Sequence, residues 1–110
     1  MKPKKLFVCV RSDLTTAQKA VQACHAVAEF CLKFPETVLD WHESNYLVIL
    51  EVENEKQLQY LCDFAYFSAF DYSWFKEPDL NNSMTAIVLE PGAEKLVRDI
   101  GLAFQNGSDI

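Results

Sequence analysis

Glycine is nearly missing from this chain: three in 110 residues, all beyond residue 91. No glycine-rich loop can therefore cradle a phosphate, which removes P-loop nucleotide hydrolysis and dinucleotide redox chemistry. HExxH, GxSxG and cysteine–histidine metal patterns are absent too, and with them the usual signatures of zinc and serine hydrolases. The four cysteines, Cys9, Cys24, Cys31 and Cys62, form no CxxC pair. They read as buried free thiols of a reducing compartment, not as a disulfide frame or a zinc site. No run approaches the roughly 18 apolar residues of a membrane span. The apolar run Leu6–Val10 is followed by Arg11 and Asp13, too short and too polar for a signal peptide. The expected location is the cytoplasm.

Positive charge is also short. Ten Lys and Arg stand against sixteen Asp and Glu, a net charge of −6. Broad affinity for nucleic acid needs cations for phosphates, and the total argues against it. The distribution is uneven, however. Residues 1–19 carry five cations against Asp13 alone, a balance of +4, which leaves −10 for the rest. A basic end beside the first helix would still hold a few phosphates; terminal lysines that merely aid solubility are the plainer alternative.

What the chain does contain is a core: half its residues are apolar and 13% are aromatic. Its length suits one domain, 1–110. Strands are expected at Lys5–Val10, Asn45–Val52, Asp71–Lys76 and Met84–Leu89, the first buried and central because it is almost wholly apolar. Helices are expected at about Thr15–Phe34, Glu55–Phe70 and Ala93–Gly101, with a helical turn or loop over 35–44 that leaves His42 at the surface. In the second long helix, Leu58, Leu61, Cys62, Ala65 and Tyr66 form the core stripe, and the tail from Phe104 frays. Strands separated by helices imply parallel pairs, whereas the short loop between the last two strands implies an antiparallel pair. The fold class is α/β: a mixed four-stranded sheet with helices on both faces.

The richest stretch is Arg11–Phe30, RSDLTTAQKAVQACHAVAEF. Ala17, Ala20, Val21, Cys24, Val27, Ala28, Cys31 and Leu32 recur at helical spacing and predict a buried face. Gln18, Gln22, His25 and Glu29 step by four, three and four and form a polar stripe. Such a stripe is commonly a solvated face; at the end of a strand it can also be a reactive edge.

These residues resemble the opening of the type 2 peptidyl-tRNA hydrolase family: an apolar strand, an RxDL turn (Arg11, Asp13, Leu14), then a helix with AxQxxHA around Gln22 and His25. EPDLNNSMTAIVLEP is similar to the family's acidic loop, Thr-initiated strand and proline turn, with the spacing from Thr85 to Pro91 kept. The form is closest to a compact bacterial branch. The resemblance implies cleavage of the ester joining a peptide to the 3′ ribose of tRNA, with no metal or organic cofactor. It implies a helix lysine, a loop carboxylate and a strand threonine as reactive groups. The threonine falls on Thr85. The carboxylate is Asp79 or Glu77. The lysine position falls on Gln18, with Lys19 adjacent but about 100° around the helix. The expected site is thus Lys19, Asp79 and Thr85 as catalytic groups, with Arg11, Gln18, Gln22, His25 and Glu77 around the substrate. Ester hydrolysis needs a water held by an acceptor, donors for the oxyanion and an acid for the departing oxygen, and these residue types supply all three. The competing reading is an inactive homologue that binds protein or RNA, motivated by the net acidity, Gln18, and the aromatic second helix. That helix is also where a homodimer would form.

Overall fold

The computed structural model describes residues 3–105. The first strand, β1 (Lys5–Arg11), leads into α1 (Thr16–Lys33), α2 (Pro35–His42), β2 (Tyr46–Val52), α3 (Glu55–Phe67), β3 (Tyr72–Glu77), β4 (Ser83–Leu89) and α4 (Glu94–Val97). The sheet order is β2-β1-β4-β3. β1 runs parallel to β2 and antiparallel to β4, and β4 antiparallel to β3. The mixed four-stranded sheet, its central first strand and the antiparallel last pair match the sequence expectation. Because β1, β2 and β3 point one way and β4 the other, one sheet edge gathers Arg11, Glu51, Glu77 and Ser83–Thr85.

Two apolar layers fill the faces. Leu6, Val8, Val10, Ala86 and Val88 pack beneath α1 and α2 with Phe30 and Trp41. Phe7, Cys9, Ile87 and Leu89 pack beneath α3 and α4 with Leu58, Leu61, Cys62, Ala65 and Val97.

Several local expectations are corrected. The buried face of α1 is Lys19, Gln22, Ala23, Ala26 and Phe30. In the row expected in the core, Ala17, Ala20, Val21, Cys24, Ala28 and Leu32 are exposed, and only Val27 and Cys31 are half-buried. The helix is rotated because its first half lies over the polar edge of the sheet, where Gln22 and Lys19 find partners. Ala23 and Ala26 lack bulk and let it approach β3 and β4, and the Ser73 hydroxyl donates to the Ala26 carbonyl at 3.3 Å. Cys9 and Cys62 are buried thiols, pushed up to about 12 by desolvation, but Cys24 is exposed and Cys31 half-buried; all four are free.

Of the helical turn or loop expected over 35–44 the structure shows the helix: α1 ends before Pro35, which opens α2, because a proline at the first helical position gives up an N–H that would have no partner. Trp41 of α2 is buried, its Nε1 donating to the Tyr46 carbonyl at 2.6 Å, and His42 is exposed as expected. Tyr66 is exposed rather than in the α3 core stripe. The last helix is only Glu94–Val97, after a 3-10 turn at Pro91–Ala93. The chain beyond it lies along β2: Ala103 N–H donates to Ile49 O at 2.9 Å and Glu51 N–H to Gly101 O at 3.0 Å. Phe104, expected to fray, packs on the α1-side core, and Gln105 after it is exposed; the last five residues of that tail, 106–110, lie outside the described residues.

Candidate active site

The site is built from three elements at the sheet edge. β3 ends in Glu77, and a 3-10 turn (Pro78–Leu80) plus Asn81 and Asn82, both left-handed with φ near 58° and 59°, reverses the chain into β4. Asparagine tolerates that conformation better than other residues with a Cβ, so the pair makes a tight loop without glycine. β4 then carries a bulge. Phe75 faces Ala86 and Lys76 faces Met84, so Thr85 is the extra residue. Met84 and Ala86, which would share a face in a regular strand, lie in opposite cores. The bulge re-aims Thr85 toward α1.

There Thr85, fully buried, donates its hydroxyl to Gln22 Oε1 at 2.6 Å. Gln22 Nε2 donates to Glu77 Oε1 at 2.8 Å. The sense of this line is fixed by charge. An ionised carboxylate only accepts, so Gln22 must present its amide N–H to Glu77 and its carbonyl to Thr85. The Gln22 hydrogen bond is the main reason that Glu77 ionises below its ordinary 4.5; the Asp79 N–H and the charge of His25 add to it, against the desolvation of the carboxyl. His25 lies flat on Phe75, ring centroids 4.3 Å apart, exposed beside this line.

The other expected residues fall into separate roles. Asp79 is exposed; its N–H points at Glu77 Oε2 over a long 3.4 Å. Gln18, half-buried, serves the helix start. It closes a capping box with Thr15, donating its N–H to Thr15 Oγ1 and accepting the Thr15 N–H at 2.9 Å. Lys19 is buried, its ammonium 2.7 Å from Glu51 Oε1 of β2, an ion pair. Arg11 is committed to protein: Nε and Nη2 to the two oxygens of Asp13, Nη1 to Ser83 Oγ and the Met84 carbonyl. Sequence reasoning missed Glu51, Glu55 and the bulge. No local signal marks any of them, since each acts through a residue far along the chain.

Of the five cations in the basic N-terminal end, Arg11 and Lys19 lie at this edge, each bound to protein carboxylates, and the other described ones do not. Lys4 and Lys5 sit at the start of β1, the opposite end of the strand from Arg11, and Lys4 pairs with Asp40 of α2; Lys2 lies outside the described residues. Among those residues no cluster of histidine, cysteine or carboxylate groups could hold a metal ion, and no helix is long and apolar enough to cross a membrane.

The arrangement is that of a small α/β domain whose polar side chains converge on one sheet edge around an oriented carboxylate. A sequence model of the peptidyl-tRNA hydrolase PTH2 family matches residues 4–105, and the chain belongs to that family. Its function is hydrolysis of the ester between a peptide and tRNA, with peptidyl-tRNA as substrate. No curated protein gives a significant match.

Proposed function

We propose that Glu77, held by Gln22 and Thr85, is the group that activates water in this hydrolase. The carrying observation is the continuous line from Thr85 Oγ1 through Gln22 to Glu77, at 2.6 and 2.8 Å. Gln22 occupies one carboxylate oxygen. The second oxygen, which receives only the long Asp79 N–H contact, accepts a water. The water oxygen attacks the ester carbonyl while its proton passes to Glu77. The bond to the ribose oxygen then breaks, and the proton on Glu77 goes to that oxygen, freeing tRNA and a peptide carboxylic acid, which loses its remaining proton to solvent. Thr85 and Gln22 act by fixing the carboxylate before reaction, so no reorganisation is needed at the barrier. His25, exposed on Phe75, offers its ring edge to the substrate, and the Lys19–Glu51 pair ties the face of α1 that carries Gln22 to β2.

Free thiols throughout support a reducing, cytoplasmic setting. The exposed Tyr60, Phe64 and Phe67 of α3 support pairing of two copies through that helix. Release of peptide from N-acetylaminoacyl-tRNA tests the chemistry. Glu77→Gln lowers kcat by roughly a hundredfold or more, and Asp79→Asn changes it by less than about threefold, as expected for a surface change. The reverse ranking would hand the water-activating role to Asp79.

A further inference from the structure

The residue before Thr85 is held in an unusual way. The backbone N–H and the backbone carbonyl of Met84 are both bound by charged side chains from other elements. Glu55, the first residue of α3, accepts the Met84 N–H at 2.7 Å. Arg11, the last residue of β1, donates Nη1 to the Met84 carbonyl at 3.2 Å. The same Nη1 donates to Ser83 Oγ at 3.0 Å, and Ser83 passes its own hydrogen to the Leu80 carbonyl at 2.7 Å. Asp13 fixes the other side of the guanidinium with two bonds at 2.9 and 3.0 Å. The guanidinium is mostly covered, with 15% of the side chain exposed.

A bulge gives up ladder hydrogen bonds and bends its strand. Left alone, the start of β4 could relax to regular pairing, and regular pairing would turn Thr85 away from α1, because one step of register moves a side chain to the other face. We infer that Arg11 and Glu55 are positioning residues that lock the β4 bulge, keeping Thr85 on Gln22 and, through Ser83 and Leu80, the loop that follows Glu77 in place. Arg11 is then not a substrate ligand. Neither residue touches the reacting atoms; both act through Thr85. This rests on the role given above to the Thr85–Gln22–Glu77 line.

Arg11→Lys and Glu55→Gln are the variants, chosen to keep length and polarity. Two readouts separate the lock from the catalytic reading. Amide hydrogen exchange at Met84 and Thr85 reports the lock alone. Both variants are expected to speed that exchange at least about tenfold while exchange in the centre of β1 stays unchanged, as for a local opening. Kinetics report the consequence: kcat falls roughly ten- to a hundredfold, the scale of a small misplacement of a catalytic group, with KM within twofold. In a Thr85→Val background the same substitutions cost nothing more in kcat, because groups acting as one unit are not additive. Unchanged exchange overturns the lock, whatever the activity does. Faster exchange with unchanged kcat overturns its catalytic purpose. A raised KM that depends on salt, additive with Thr85→Val, would make Arg11 a phosphate ligand and overturn the proposal. Full activity of Thr85→Val itself would instead overturn the role of Thr85, while the exchange result still decides whether the lock exists.

Discussion

The two faces of α1 invert the ordinary rule. Its buried face holds Lys19 and Gln22 among Ala23, Ala26 and Phe30, and its exposed face shows Ala17, Ala20, Val21, Cys24, Ala28 and Leu32. Two of these five buried residues are polar and three apolar, and the division follows position along the helix. From Ala23 onward the helix lies on the apolar sheet. Before it the helix lies on the sheet edge where Glu77, Thr85 and Glu51 need partners. A polar residue is stable there because it is paired, Gln22 by hydrogen bonds and Lys19 by an opposite charge, not because it is wet. The lesson is that burial of polar groups on a small domain's helix marks the site more clearly than exposure does.

The sharpest way to break this division is Gln22→Leu, which keeps bulk and removes both bonds. At pH 7 Glu77 is ionised with or without Gln22, so the expected loss, about a hundredfold in kcat, comes from an unoriented carboxylate and a hydroxyl without its acceptor. The pH profile separates this from misfolding. Glu77 must be ionised to take a proton, and the folded protein holds it below 4.5, chiefly through Gln22. Activity of the wild type therefore falls only as pH drops through that lowered value. In Gln22→Leu the main cause of the lowering is gone, and the acid limb moves up toward the ordinary glutamate range. An acid limb that stays where it was would mean that another group controls it.

The second test concerns stability. Lys19→Met leaves Glu51 partly buried, 25% of its side chain exposed, without its cation. The expected loss is roughly 2–3 kcal/mol in chemical denaturation, less than for a fully buried charge because water reaches Glu51. Adding Glu51→Leu removes the stranded charge and returns most of that stability. If the double variant is stable yet slow, Lys19 contributes charge to the reaction; if it is stable and fast, the pair is architectural.

How much of this could be read from the chain depends on how far each interaction reaches. The succession of elements and the mixed sheet follow from periodicity and from which elements lie between strands, and both are local. Thr85 and the acidic loop stood out through a short motif. The choice between Asp79 and Glu77 did not, because only the last register of β3 decides which of them faces α1. The rotation of α1 was misread for a related reason: its Ala, Val and Cys residues outscore Lys19 and Gln22 on hydropathy, and the polar partners that bury those two sit 32 to 63 residues away. The bulge at Thr85 depends on pairing with β3 and leaves no mark on the sequence of β4 itself.

The mildest substitution sharpens the comparison most cleanly, because it changes the position where the family lysine was expected. Gln18 lies four residues before Gln22 and is the same type of side chain, yet its amide serves only the helix start, bonded to Thr15. Gln18→Ala removes one half of a capping box. It should cost about 0.5–1 kcal/mol of stability, with kcat and KM within twofold of the wild type. The same amide one turn later is expected to matter about a hundredfold in kcat, because its partners are a carboxylate and a threonine rather than a backbone N–H. A large loss of kcat in Gln18→Ala, with stability barely changed, would place the substrate over the first turn of α1 and extend the site beyond the edge formed by Gln22, Thr85 and Glu77.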